Sequence, residues 1–183
     1  MTFGPRICRR HQWTMRIGRC CGRPCLLTHW ERVYSGGMAE FTREQILKKV
    51  AAGENLSGTD LRESKLEWAD LRAVNLSGAD LCGANLYFAK LTDADLSVAN
   101  LQLAVLDRAN LTGAFLTRAN LRRASLERAN LFRANLWHAR LEGVQCGGAN
   151  LDRALVTGAT YDKMTNWPDN FDPEAAGAVL VDD

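Results

Sequence analysis

Nowhere in the 183 residues does an apolar run approach the ~18 that a transmembrane helix needs, so no segment reads as a helical membrane span. The first residues also lack the apolar stretch and small-residue cleavage site of a secretory signal, because arginines punctuate them from Arg6 to Arg32. A cytoplasmic location is therefore the expectation. Acid is nearly missing from the same stretch: residues 1–37 hold seven arginines against Glu31 alone, so the net charge of +2 divides into +6 there and −4 over the remaining 146 residues. Four of the six cysteines (Cys8, Cys20, Cys21, Cys25) crowd into it as well, too unevenly placed to serve as a disulfide framework for the rest. With His11 and His29 they are zinc-binding types, yet their spacing matches no paired C-x₂-C arrangement. The segment reads as an arginine- and cysteine-rich leader. Ser35-Gly-Gly37 resembles a translated ribosome-binding sequence, which would place the natural start at Met38 and leave 1–37 disordered; an intact mass beginning at Met1 would refute that.

Catalytic groups are equally scarce. His138 is the one histidine beyond residue 37, and its neighbours Trp137 and Arg140 do not form a nucleophile–base pair. No catalytic, cofactor-binding or metal-binding residue is expected, and the chain is not expected to be an enzyme. With 46% hydrophobic and 24% charged residues, the composition is that of one soluble globular domain.

What the chain does contain is a period. Apolar residues recur every five positions from Leu56 to Tyr161, 22 positions in all; the first 18 are leucine, and Cys146, Leu151, Val156 and Tyr161 finish the series. Two residues before each centre, alanine fills 17 of the 19 positions from Ala69 to Ala159, Val74 and Val144 being the exceptions. Five residues of α-helix advance about 500°, so such leucines would wrap the whole surface. On a straight strand, an odd period would throw alternate leucines onto opposite faces. The chain must therefore turn a corner every five residues. Each pentapeptide then forms one short extended side, with the centre and the residue two before it pointing inward. Four sides close a square of about twenty residues, and coils stacked ~4.8 Å apart give a rod about 25 Å long. Asparagine or aspartate before many centres (Asn75, Asp80, Asn135) and glycine two after (Gly58, Gly113, Gly158) supply the turn chemistry.

The runs Ala79-Asp-Leu-Cys-Gly-Ala-Asn-Leu86 and Ala119-Asn-Leu-Arg-Arg-Ala-Ser-Leu126 carry the A(D/N)LXX signature, and residues 54–163 resemble the pentapeptide-repeat proteins abundant in bacteria, cyanobacteria in particular. That resemblance implies an all-β solenoid, a right-handed quadrilateral β-helix. The sequence departs from it at Val105, Phe115 and Leu155 before the centre and at Glu54, Thr59 and Ser64 in the alanine column, so irregularity is expected in the first coil and after Gln145.

Open coil ends need covers. Residues 38–53 offer a capping α-helix near 43–52, with a capping box at Thr42 and Gln45, a staple between Phe41 and Ile46, and a stop at Gly53. Residues 164–183 break the period and read as a C-terminal cap and tail, Tyr161, Trp167 and Phe171 plugging the last coil.

The surface is electrically polar: Glu54–Asp107 carries nine acids and four bases, whereas Arg108–Arg140 carries seven arginines and Glu127 alone. Arg108, Arg118, Arg123, Arg128, Arg133 and Arg153 recur two after the centre, as a basic band attractive to an anionic partner. The plainer reading is a solvated face neutralised by Asp107, Glu127 or Asp152. Tyr87 and Phe88, with Trp68 one coil below, form an aromatic strip, and Phe132 and Trp137 lie further up; such exposed rings mark contact surfaces. Asp107 and Glu127, one coil apart, mimic a glycosidase pair but have no cleft.

A binding or scaffold protein with rigid flat faces is the expected function, its partner a protein. Nucleic acid is disfavoured because aromatic and basic residues are not interleaved as a stacking groove. The resemblance implies an alternative, since some family members mimic DNA and modulate type II topoisomerases (DNA gyrase); it also permits a homodimer through a terminal coil or cap. Mimicry would need a continuous carboxylate face, and 13 acids against 13 bases over residues 54–163 do not provide one.

Overall fold

The computed structural model describes residues 41–181; the leader and the zinc question it raised lie outside them. The first element is helix α1, Arg43–Ala51. Thr42 starts it through a reciprocal box, the Thr42 N–H donating to Gln45 Oε1 at 2.8 Å and the Gln45 N–H to Thr42 Oγ1 at 3.3 Å. At its end the Gly53 N–H donates to Val50 O and the Glu54 N–H to Lys49 O, which satisfies two orphan carbonyls in a Schellman arrangement. Ile46 is wholly buried in the same apolar cluster as Leu56 and Leu61, with Phe41, Leu47 and Val50 packed against it. The helix therefore covers the open first coil.

From Leu56 the chain winds as the fivefold period requires. Every parallel bridge from Asp60↔Asp80 to Arg140↔Thr160 joins residues twenty apart. A typical rung runs from the Leu61 N–H to Asp80 O (2.8 Å), from the Asp80 N–H to Thr59 O (2.9 Å) and from the Glu63 N–H to Cys82 O (2.9 Å). The protein is a right-handed quadrilateral β-helix. Its four sides are numbered here by the centres they stack: side 1 holds Leu56 and Leu76, side 2 Leu61 and Leu81, side 3 Leu66 and Leu86, side 4 Leu71 and Leu91, each continuing upward in steps of twenty. The leucine centres from Leu56 to Leu121 are at most 1% exposed, and alanine fills the space beside them.

Every corner is a type II turn. The Ala69 N–H, for example, donates to Leu66 O at 3.1 Å, and the residue two after the centre takes positive φ. Glycine meets that demand at seven corners, but fourteen non-glycine residues adopt it too, among them Val98 at φ 61°. A β-branched residue suffers most there, and the left-handed region costs about 1–2 kcal/mol. Since Val98 is 63% exposed and loses little packing, Val98→Gly is expected to stabilise the rod by about 1 kcal/mol, after discounting glycine's greater freedom when unfolded. A urea midpoint unchanged or lowered would refute this. The Asx column does its expected work as well: Asn75 Oδ1 accepts from the Ser77 N–H and Asn135 Oδ1 from the Trp137 N–H, at 2.9 and 3.0 Å.

Irregularity is confined to the top. The last bridge, Gln145↔Asn166, spans 21 residues, so one extra residue enters after Tyr161. Asp162 absorbs it: its Oδ1 accepts the Gly143 N–H (2.8 Å), the Met164 N–H (3.0 Å) and the Thr165 hydroxyl (2.9 Å). Burial pushes this carboxyl up, but those hydrogen bonds outweigh it and hold the group below its ordinary value. The tail then crosses the coil end and returns as β2 (Val179–Leu180), parallel to β1 (Thr160–Tyr161). Contrary to expectation, the first coil keeps full register from Asp60 onward, because the Thr59 hydroxyl turns back onto Leu56 O at 2.7 Å in the place of an alanine methyl.

Candidate interaction surfaces

The corner between sides 3 and 4 stacks residues 68, 88, 108 and 128 one above another, because each is two after a side 3 centre. Phe88 lies flat on Trp68, centroids 4.1 Å apart and planes 5° apart, and Tyr87 stands perpendicular to both. The Arg108 guanidinium continues the stack 5.4 Å from the Phe88 centroid. Trp68 is 63% exposed, so the aromatic strip is an outward platform. At the upper end of side 4, Phe132 lies beneath two guanidinium groups, Arg133 at 5.1 Å and Arg153 at 5.8 Å. Such contacts are worth about 0.5–1 kcal/mol each when exposed. Trp137 stands apart on side 1 with His138 4.3 Å away, and His138 Nδ1 sits 3.2 Å from Gly158 O.

The six arginines do not form one face. Arg108 and Arg128 occupy the corner after side 3, Arg133 and Arg153 that after side 4, Arg118 that after side 1 and Arg123 that after side 2, all in positive φ. A five-residue step on a four-sided coil deals successive arginines to successive corners, so the band is a girdle around the upper rod. The carboxylates expected to neutralise it are engaged elsewhere or simply distant: Asp107 accepts the Ser125 hydroxyl and the Glu127 N–H. Among the described residues none of the six arginines lies within ion-pair distance of an acid. The Asp107–Glu127 pair is thus part of the coil-to-coil bonding on a flat surface.

Two features escaped the sequence reading. Glu142 has only 11% of its side chain exposed; Arg122 and Arg140 flank it at 3.5 and 3.6 Å, and Thr160 donates to it at 3.0 Å. Its signal was Arg122 twenty residues earlier, which the twenty-residue coil places directly below. Phe115 and Leu155, noted only as departures from the Asx column, are 49% and 57% exposed on side 1, with Asn135 bridging between them. On side 4, Arg72 hydrogen-bonds through two nitrogens to Asp70 (both 2.7 Å) and holds that carboxyl below its ordinary value. Among the described residues, no group of three His, Cys, Asp or Glu side chains is placed to hold a metal ion, and no helix is long and apolar enough to cross a membrane.

A close-packed square coil of stacked five-residue sides defines the class: a β-helical solenoid. The family model for pentapeptide repeats matches it in eight copies, over residues 51–78, 59–97, 99–137 and 129–160, and the chain belongs to that family. Among solved structures it is similar to Rfr23, a pentapeptide repeat protein of the cyanobacterium Cyanothece 51142, at 40% identity over 54% of this chain and 64% of that one, TM-score 0.45. The chain thus spans less than two thirds of that relative's length. It is also similar to alr5209 from Nostoc PCC 7120 (28% identity, 76% of this chain, 96% of that one, TM-score 0.36). A third is the Arabidopsis thaliana thylakoid-lumen protein AT2G44920 (32% identity, 63% and 70%, TM-score 0.37). A search of curated proteins found no match.

Proposed function

We propose that the protein is a non-enzymatic binding or scaffold protein of the cytoplasm, presenting rigid side faces to a protein partner, with α1 and the 164–183 tail acting as caps. The observation that carries this reading is the girdle of six arginines with no acid at ion-pair distance among the described residues, three of them lying against the half-buried rings of Phe88 and Phe132. An arginine that has found no carboxylate within its own fold keeps its hydrogen-bonding capacity for another molecule, and its flat guanidinium suits carboxylates. Because backbone rungs recur at every coil, the groups are held at fixed spacing and lose little freedom on binding. The topoisomerase reading is disfavoured: residues 54–163 carry 13 acids against 13 bases and so offer no continuous carboxylate face, and the full chain is expected to leave gyrase supercoiling unchanged.

The test is capture from host lysate on immobilised full chain, at low and high salt, beside a variant with Arg108, Arg128 and Arg133 changed to Glu. A partner held by the parent, and lost on charge reversal and at high salt, is the expected result. The same partner recovered on both proteins would overturn the role of the girdle.

A further inference from the structure

We infer that the upper half of side 1 is the docking face for an acidic amphipathic α-helix of the partner, its apolar stripe laid along the rod over Phe115, Trp137 and Leu155 and its carboxylates on the arginines at both edges. This rests on the binding reading above and narrows it to one face and one kind of partner segment. Before the side 1 centres the column reads Asn55, Asn75, Asp95, Phe115, Asn135 and Leu155. Asn135 shows what the usual residue does there, since its Oδ1 accepts the Trp137 N–H at 3.0 Å. Phe115 and Leu155 give that turn bond up and gain little burial for it, being 49% and 57% exposed. Trp137, propped on His138 at 4.3 Å, stands between them at 44% exposure. Unlike Phe88, Phe115 has neither ring nor guanidinium stacked on it among the described residues. A residue that breaks its column's local rule without entering the core marks a surface kept for another contact.

The face itself is free of charge there, since Thr117, Asn135 and Thr157 complete it. Its edges are basic. Arg118 occupies the corner toward side 2, and Arg133 and Arg153 the corner toward side 4, where they lean on Phe132 at 5.1 and 5.8 Å. None of the three is ion-paired among the described residues, Asp152 on side 4 included. Asp93 and Asp95 come one coil below Phe115, so acid begins where the apolar strip ends.

An apolar strip with cations along both edges is complemented by an apolar stripe with acids along both flanks, and an α-helix carries that pattern on one face. The dimensions agree. Phe115 and Leu155 lie two coils apart, about 10 Å, and two helical turns rise about 11 Å, so both ends of the strip meet one stripe. One side of the square is roughly 10 Å broad, which is the thickness of a helix. The leader is the wrong occupant, because its seven arginines would bring like charge to both edges. A lipid surface suits the strip less well, since insertion needs apolar groups that project, and these lie about half-buried in a flat face.

The probe is a labelled peptide of about 20 residues, with leucine at i, i+4, i+7 and i+11 and glutamate on both flanks. Fluorescence anisotropy is expected to show it binding the purified full chain with a Kd on the order of 10 μM. Phe115→Asn and Leu155→Asn each restore the column's usual residue, so circular dichroism should show intact folding while the peptide binds at least about 10-fold more weakly. Arg118→Glu with Arg153→Glu should weaken it similarly, as should added salt on the parent. The same peptide with lysine in place of glutamate is expected to stay free. Binding of the lysine peptide as tight as the glutamate one, glutamate-peptide binding unchanged in Phe115→Asn, or no binding to the parent would each overturn the proposal. So would adsorption to phosphatidylglycerol vesicles, or a dimer in sedimentation equilibrium, that Phe115→Asn abolishes, because the occupant would then be a lipid surface or a second copy. A lysate partner lost on reversing Arg108, Arg128 and Arg133 but kept by Phe115→Asn would sink this docking face and leave the binding reading standing.

Discussion

Leu106→Ala is expected to lower the free energy of unfolding by about 3 kcal/mol and to broaden the transition, whereas Leu151→Ala should cost distinctly less and leave its shape nearly unchanged. Leu106 is fully buried at mid-rod, and its side chain can touch only the coil it belongs to and the coils above and below. Truncation therefore leaves a cavity that backbone rungs 2.7–3.1 Å long do not let collapse. In a stack where each coil meets only its neighbours, stability is a chain of interface terms, and weakening one at the centre separates the lower coils from the upper. Leu151 is 7% exposed near the top, so less contact is lost and no long segment is cut off. Urea unfolding followed by circular dichroism and by Trp fluorescence checks this, the tryptophans at 68 and 137 reporting on opposite halves. Equal losses for both variants, with coincident transitions, would show that the rod unfolds as one unit and would refute nearest-neighbour coupling here.

Most of this architecture was legible because the period states it. Leucine at every fifth position excludes both straight regular structures, and the alanine column fixes which other residue points inward, so the twenty-residue register follows from closing four sides. The capping box at Thr42 and Gln45 was readable for a similar reason: its partners lie three residues apart in the chain. What escaped depends on direction around the coil. Arg118 and Arg123 look like neighbours of Arg108 in a list of positions, but each five-residue step carries them to another corner. Glu142 looked like an ordinary exposed acid until the coil set Arg122 beneath it and Thr160 above. The extra residue after Tyr161 left no mark in the composition, since Asp162 resembles every other aspartate that follows or precedes a centre. Only the Gly143 N–H, deprived of its usual carbonyl and donating to Asp162 Oδ1 instead, shows why that aspartate is there.

Trp167→Ala is expected to open the upper end alone. The indole stands edge-on to Tyr161 at 5.6 Å and stacks on Phe171 at 5.1 Å, closing a small cavity that Leu131, Cys146 and Leu151 also line. Cys146 reports on this closure. Its thiol donates to Asn166 O, beside Trp167, and burial pushes its pKa up to about 12, so in the native state thiolate is scarce and reagent is excluded. Losing a partly buried tryptophan from such a site costs up to about 3 kcal/mol, and here the cost falls on opening the last coil because the coils below keep their own contacts. Since about 1.4 kcal/mol corresponds to a tenfold change in an equilibrium, alkylation of Cys146 at mildly alkaline pH should quicken by up to ~100-fold, read by peptide mass spectrometry. The Leu106-centred unfolding transition should scarcely move. Trp167→Phe makes a sharper comparison: the indole Nε1 is buried without a hydrogen-bond partner, so phenylalanine keeps a ring in the plug and removes an unsatisfied donor. It should cost no more than about 1 kcal/mol. Cys146 labelled as slowly in Trp167→Ala as in the parent would mean that β2 and the tail close the rod without the indole.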